Sequence, residues 1–350
     1  MTNRRTDPVH VVIIGGGFAA LEAAVALRAL AGDRVQLALV SPDTHFRYRP
    51  AATLEVFGGA TPLTYDLREL LHGLGADYHM SRLVGVAPQV KSLQLESGRR
   101  LSYDVLVLAV GALADPGIPG AVTFRDQGDI PRLRNVIEDA RYGRISTLAF
   151  AIPSCQSWAL PAYELALLTA ARLRDMRPRI EISLLTPERA PLEVFGGEIS
   201  RRVAELLAER NVRFVGGVTP RAVSRGTLQL EFDAPVRADA VVAVPALRGH
   251  RIPGVPGSWL GFIPTDTVGR VEALPDTFAA GDATTFPIKQ GAWPRSRRIG
   301  SLRPSPRSWA SLYTSSTRLG SSKSSCWGVS GRSSCAPSLT SSASRPVPWW

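Results

Sequence analysis

The triplet Gly15-Gly16-Gly17, read as Gly15-x-Gly17-x-x-Ala20, is the part of this sequence most clearly shaped for chemistry. It lies between an apolar run, residues 9–14, and an alanine-rich stretch, 18–30, that ends near Gly32. Strand, glycine turn and helix in that order are what cradling a pyrophosphate requires. Gly15 permits the tight turn, Gly17 lets the backbone approach the phosphates, and Ala20 allows close helix–strand packing. The helix start adds unpaired N–H groups and the positive end of its dipole. A second strand, 35–40, should end near an acid that holds a ribose. Ser41-Pro42 stands at that end with Asp43 just beyond. Asp43 is either that ribose ligand or an ordinary turn aspartate before Thr44.

Several further elements must position this turn. Residues 91–100 alternate apolar and polar side chains and predict a hairpin turning at Ser97-Gly98, and 105–110 reads as another buried strand ending at Gly111. A second α/β unit follows, with strands at 145–152, 180–185, 212–215 and 240–244 and helices at 162–173 and 199–210. A last short strand, 277–282, ends in Ala-Gly-Asp and predicts that the chain returns to complete the first unit. The expected fold class is therefore α/β, with two Rossmann-like domains, the second inserted in the first. The expected boundaries are 1–116 and 250–291 for the first domain, 117–249 for the second, and 292–350 for a disordered or aberrant basic tail.

The net charge of +11 suggests nucleic acid, but its placement argues otherwise. Residues 292–350 hold nine Lys or Arg and no Asp or Glu, leaving +2 for the rest. No nucleic-acid partner is expected for the body. Cys155, Cys326 and Cys335 form no C-x-x-C pair, which fits a reducing, cytoplasmic setting. Arg4-Arg5 and the apolar residues after it imitate a signal peptide, but the glycine triplet and Glu22 fit a nucleotide-binding turn better. The five histidines show no metal-ligand spacing, so no metal site is expected.

Tyr103-Asp104-Val105-Leu106-Val107-Leu108-Ala109-Val110-Gly111 resembles a segment of the two-dinucleotide-binding-domain flavoproteins, the pyridine nucleotide-disulfide oxidoreductase superfamily. Phe278-Ala279-Ala280-Gly281-Asp282-Ala283 resembles that family's second FAD motif. The resemblance implies FAD as cofactor, with Asp282 on its ribityl chain, Leu83 offering a backbone contact to adenine, and Ala109 and Gly111 lining the site. Phe46-Arg47-Tyr48-Arg49-Pro50 and Pro161-Ala162-Tyr163-Glu164 are similar to loops of the branch that holds sulfide:quinone oxidoreductase and type II NADH dehydrogenase. That branch implies a small-molecule electron donor, a quinone or similar acceptor, and contact with the inner face of a membrane.

Where the second unit needs its own glycine turn to hold NAD(P)H, the chain reads Pro153-Ser154-Cys155-Gln156-Ser157-Trp158-Ala159-Leu160-Pro161. NAD(P)H binding is left open. Glu188 is either a ribose ligand or a helix-entry glutamate. Cys155 could attack or relay sulfur as a thiolate, but residues 1–291 hold no second cysteine, so a buried, inert thiol is the expectation. Glu164 is a further catalytic candidate through the resemblance. Lys289 is either a cation at the flavin's pyrimidine edge or a solvated loop lysine.

The tail differs in kind, with 18 serines and five of the seven tryptophans in residues 292–350. Relatives continue after Lys-Gln-Gly with Gly-Leu-Ala-Ala-Gln-Gln-Ala-Asp. GC-rich codons for residues 291–299 yield that string when read from the third base. The tail is thus expected to be translated out of frame, and the rival to an active oxidoreductase is an inactive, truncated flavin-binding remnant. A genuine basic segment for nucleic acid or anionic lipid is the other reading of the tail.

Overall fold

A computed structural model describes residues 7–59, 63–115, 117–176 and 179–286, so the readings that concern Lys289 and the tail lie outside the described residues. The first lobe is built on a five-stranded, all-parallel sheet. Its order is Thr277–Ala279, Val105–Leu108, Val9–Ile14, Val35–Ser41, Ala76–Met80. From its central strand the chain moves out to one side, then crosses back to the other. The carboxyl ends of Val9–Ile14 and Val105–Leu108 therefore flank a topological switch point, where open α/β sheets place their ligands.

Continuous apolar strands suit this sheet because both faces are covered. Val11 and Ile13 pack on one face against Ala20, Ala24 and Leu27 of the helix Phe18–Ala31. Val12 and Ile14 face the other way, toward Leu93, Leu95 and Leu101 of an antiparallel sheet. Val11, Val12 and Ile13 are wholly inaccessible, each worth about 1.5–3 kcal/mol of burial. The expected hairpin is present as Ser92–Leu95 and Arg100–Ser102, with Gly98 in its turn. A third strand, Leu83–Ala87, joins it.

The second lobe repeats the plan. Its parallel sheet runs Val122–Thr123, Ala240–Ala243, Thr147–Ala151, Glu181–Thr186, Val212–Gly216. Leu160–Leu173 and Gly197–Glu209 are its helices in the expected places, and Ile130–Arg141 is one that the sequence reading lacked. The return segment adds Thr277–Ala279 to the first sheet, as expected of an inserted second lobe.

A matching latch holds the start of each central strand. Asp104 accepts the His10 N–H (2.8 Å) and donates its own N–H to the His10 carbonyl (2.9 Å). Asp239 accepts from the N–H groups of Ser146 (2.8 Å) and Thr147 (3.0 Å) and from the Ser146 hydroxyl (2.9 Å). Those bonds hold the Asp239 carboxyl down at about 2.

The short helix Ala52–Val56 ties the lobes together. Ala52 and Val56 are part of the second lobe's hydrophobic core. Thr53 donates to Glu164 (2.8 Å), Gln127 donates to Glu55 (2.9 Å), and Arg134 bonds the carbonyls of Glu55 and Val56. No helix among the described residues is long and apolar enough to cross a membrane.

Candidate functional site

Gly15 ends the central strand with its N–H on the Val40 carbonyl (2.8 Å), and Ala109 donates to the Ile14 carbonyl (2.8 Å) from the other side. Gly15 sits at φ +127°, and a Cβ there would lie 2.1 Å from the Ala109 carbonyl oxygen. Only glycine fits where the two strand ends close. Gly17 is the opposite case, because a Cβ there would meet no atom within 4 Å. Its free side is the open cleft. The helix begins at the next residue with no side-chain cap and no acid in its first turn. Its first intrahelical bond runs from the Leu21 N–H to the Gly17 carbonyl (3.1 Å), so the donors before Leu21 have no acceptor within the helix. Ala20 is fully buried beneath the turn, as close helix–strand packing requires.

Around this turn lies a cleft of about 730 Å³, within the range of small-molecule and cofactor sites. Gly15, Gly17, Asp43, Leu83, Ala109, Gly111 and Asp282 all line it. Asp282 comes from far along the chain. A Cβ on the preceding Gly281 would lie 2.8 Å from the Ala19 Cβ, so the return segment is seated directly on the start of the glycine-turn helix. Asp43 is held by its backbone, its N–H on the Ser41 hydroxyl (3.1 Å) and its carbonyl on the Tyr78 hydroxyl. Its carboxylate stays exposed at the rim. Phe18 contacts the rings of Phe46 and Tyr48, at 6.4 and 6.2 Å between centroids, which fixes the 46–50 loop beside the helix start.

A second wall comes from residues that sequence reasoning missed as site residues: Phe124, Arg125, Gln127, His250 and Arg251. Arg125 is aimed by paired bonds to Asp129 (3.0 and 2.8 Å). Burial opposes charge on Asp129, but these bonds outweigh it and hold its carboxyl below the usual range. Burial, with Arg82 and Arg248 nearby, pushes the His250 imidazole down, so it is neutral at pH 7. Arg47, Arg49, Arg82, Arg125 and Arg251 face the cleft against Asp43, Asp126 and Asp282, a balance that suits a phosphate-bearing ligand. Arg47 and Arg49 lie in the Phe46–Pro50 segment that the sequence already singled out, whereas Arg82, Arg125 and Arg251 belong to no local motif, so only the fold reveals them.

Of the catalytic candidates among the described residues, Cys155 and Glu164, the structure brings neither to this cleft. Cys155 is exposed rather than buried, a correction to the expectation, because the long turn after Ala151 lifts it away from the core. It is not among the residues lining the cleft. Glu164 is turned onto Thr53, and burial pushes its carboxyl up despite that bond. Glu188 is also pushed up by burial. It accepts from the hydroxyls of Tyr163 (2.6 Å) and Thr186 (3.3 Å). The glycine cradle, the donors of the helix start and the volume of the cleft fit a dinucleotide cofactor.

Residues 9–145 match the family described as pyridine nucleotide-disulphide oxidoreductase. The chain is 27% identical over 228 residues to the sulfide-quinone reductase of Aquifex aeolicus, covering 61% of this chain and 52% of that protein. It is 28% identical over 307 residues to apoptosis-inducing factor 3 of Mus musculus, covering 84% and 48%. The chain thus spans about half the length of these curated relatives. Among solved structures it shares its fold with the sulfide:quinone oxidoreductase of Aquifex aeolicus, with a TM-score of 0.73 at 20% identity, covering 89% of this chain and 77% of that one. NDH2 from Plasmodium falciparum gives a TM-score of 0.60 at 17% identity, covering 79% and 64%. Residues 9–145 are thus similar to the pyridine nucleotide-disulphide oxidoreductases, and the described chain shares the two-lobed fold of these solved structures.

Proposed function

We propose that the chain is an FAD-dependent oxidoreductase that takes electrons from NAD(P)H or a small reductant and passes them to a quinone or similar acceptor. The observation that carries this reading is the meeting of the Gly15 turn and Asp282 in one cleft, from opposite ends of the described chain. FAD, when bound, supplies the two-electron chemistry. The residues do the rest. Gly17 and the helix start hold the pyrophosphate, Asp282 accepts from the ribityl hydroxyls, and Asp43 and Leu83 hold the adenosine end. Phe124 and Arg125, the latter aimed by Asp129, give the cleft its second-lobe wall. The relatives' names support the class without fixing the route. They include a sulfide-quinone reductase and a ferredoxin–NAD(+) reductase subunit. Action in the cytoplasm, with peripheral contact at the inner face of a membrane for a quinone acceptor, follows from the same reading.

The second reading, an inactive truncated remnant, draws on the serine-rich basic composition of residues 292–350. Purified full-length protein separates the two. Bound flavin bleached by NADH, NADPH or sulfide and reoxidised by a quinone supports the enzyme. A chain that retains flavin but is bleached by none of the three supports the remnant. Sequencing the gene tests whether the tail is out of frame.

A further inference from the structure

The two sheets can be aligned strand for strand, and their ligand ends then differ sharply. Ile152 stands where Gly15 stands: its N–H reaches the Leu185 carbonyl (2.9 Å), as that of Gly15 reaches Val40 (2.8 Å). Val244 donates to Ala151 (3.1 Å), as Ala109 does to Ile14 (2.8 Å). In the first lobe three residues, 15–17, link strand to helix; in the second, eight residues, 152–159, make the same link.

Four groups placed to hold a dinucleotide in the second lobe are missing a donor or already engaged. Pro161 stands in the helix's first turn and has no N–H to offer. The Ala162 N–H is already bonded to the Ala159 carbonyl (2.9 Å). The Ser154 hydroxyl caps its own loop, bonding the Gln156 side chain (2.7 Å) and accepting the Gln156 N–H (3.1 Å). Glu188, the acid beyond the second strand, is half-buried and accepts from Tyr163, whose hydroxyl also receives the Leu192 N–H (3.3 Å). A ribose ligand there would have to displace a fully packed tyrosine.

The longer turn has a different product. It delivers Trp158 to the wall of the first lobe's cleft, beside Phe124 and Arg125. Among the described residues, the Ser157 hydroxyl and the Trp158 Nε1 are buried without a partner. Packing and shape, not hydrogen bonding, hold the indole there, at a cost that a purely structural turn would have no reason to carry.

We propose that Trp158 is a specificity-determining residue, filling the face of the cleft that a nicotinamide would otherwise approach, and that the second lobe binds no pyridine dinucleotide. The electron donor is then a molecule smaller than a dinucleotide. This rests on the oxidoreductase reading above and narrows its donor.

Two measurements on the full chain in saturating FAD test it. In equilibrium dialysis, ADP-ribose should show no saturable binding up to roughly 1 mM, the weak end of enzyme–substrate affinities. The Trp158→Phe variant should gain none, since Pro161 and Glu188 remain. Saturation below that limit that excess FAD does not displace overturns the proposal. In the second measurement, bound-flavin emission is compared at equal FAD loading. Trp158→Phe should be severalfold brighter, because an indole packed on a flavin quenches it. Equal emission overturns the placement of Trp158. Failure of the wild-type chain to take up FAD would instead remove the oxidoreductase reading, and displaceable ADP-ribose binding would mark the first lobe's cleft.

Discussion

Gly15 and Gly17 stand two residues apart in one motif, and adding a single methyl group to each should have opposite consequences. At Gly15 the methyl meets the Ala109 carbonyl oxygen at 2.1 Å, and the backbone sits at φ +127°. A side chain held in that sparsely populated region costs about 1–3 kcal/mol. Forcing the strand ends apart adds about 1–3 kcal/mol of overpacking. Gly15→Ala should therefore lower the stability of the FAD-free protein by roughly 2–6 kcal/mol, a large share of the 5–15 kcal/mol typical of a folded domain. At Gly17 the methyl meets nothing within 4 Å, and φ is −88°. The only stability loss is that of alanine at a helix N-cap, about 1 kcal/mol or less. That methyl stands in the space the phosphates need, so FAD affinity should fall about 5- to 150-fold, the equivalent of 1–3 kcal/mol of overpacking. Urea denaturation of the apoprotein and FAD titration of the refolded chain separate the two effects. An apo-stability loss at Gly17 equal to that at Gly15, or unchanged FAD affinity in Gly17→Ala, would refute the reasoning.

Asp282→Asn should weaken FAD binding by about 10- to 150-fold, the loss of a hydrogen bond to a charged acceptor, measured by flavin titration. Tyr163→Phe should lower the urea midpoint by the equivalent of about 1–3 kcal/mol, because the Leu192 N–H and the Glu188 carboxyl lose a buried partner. Burial raises the Glu164 carboxyl above its ordinary value of 4.5. The folded chain thus keeps a proton that the unfolded chain releases. That stabilisation is present below the ordinary value and is lost as pH rises through the folded one. Glu164→Gln keeps the acceptor for Thr53, so its denaturation midpoint should overtake that of the wild type toward neutral pH and vary less with pH. The Asp239 carboxyl, held at about 2, acts in the other sense. Its contribution is present above its ordinary value of 3.8 and lost as pH falls toward 2. Asp239→Asn should flatten the acid limb of the unfolding curve.

The glycine turn was legible because each step of it is local. A continuous apolar run, three glycines and an alanine-rich helix follow one another in the order that a buried parallel strand and a phosphate site both demand. The strands at 105–108 and 277–279 were legible for the same reason. Ala76–Met80 was not, since Asp77 and Met80 face solvent on a sheet edge and blur the apolar run of a buried strand. Ile130–Arg141 carries its apolar residues, Ile130, Leu133, Val136, Ile137 and Ala140, at helical spacing. Pro131 and the many charges obscure that spacing, and the sequence reading assigned the stretch no element, although proline is at home in a helix's first turn. The second wall of the cleft was beyond reach. Phe124 and Arg125, Trp158 and His250 come from three separate segments, and only the docking of the two lobes brings them to one cavity.

The aspartate latches at Asp104 and Asp239 grip the same corner of each sheet, the edge opposite the cleft. A framework fastened at that far edge leaves the opposite rim free to be rewritten. In one half the rim remains a short, bare hairpin-like bend open to phosphate. In the other it has grown into a long, self-sealed arm carrying an indole across to its neighbour. On the readings proposed above, one architectural blueprint serves as holder in its first copy and as gatekeeper in its second, with the fasteners left alone.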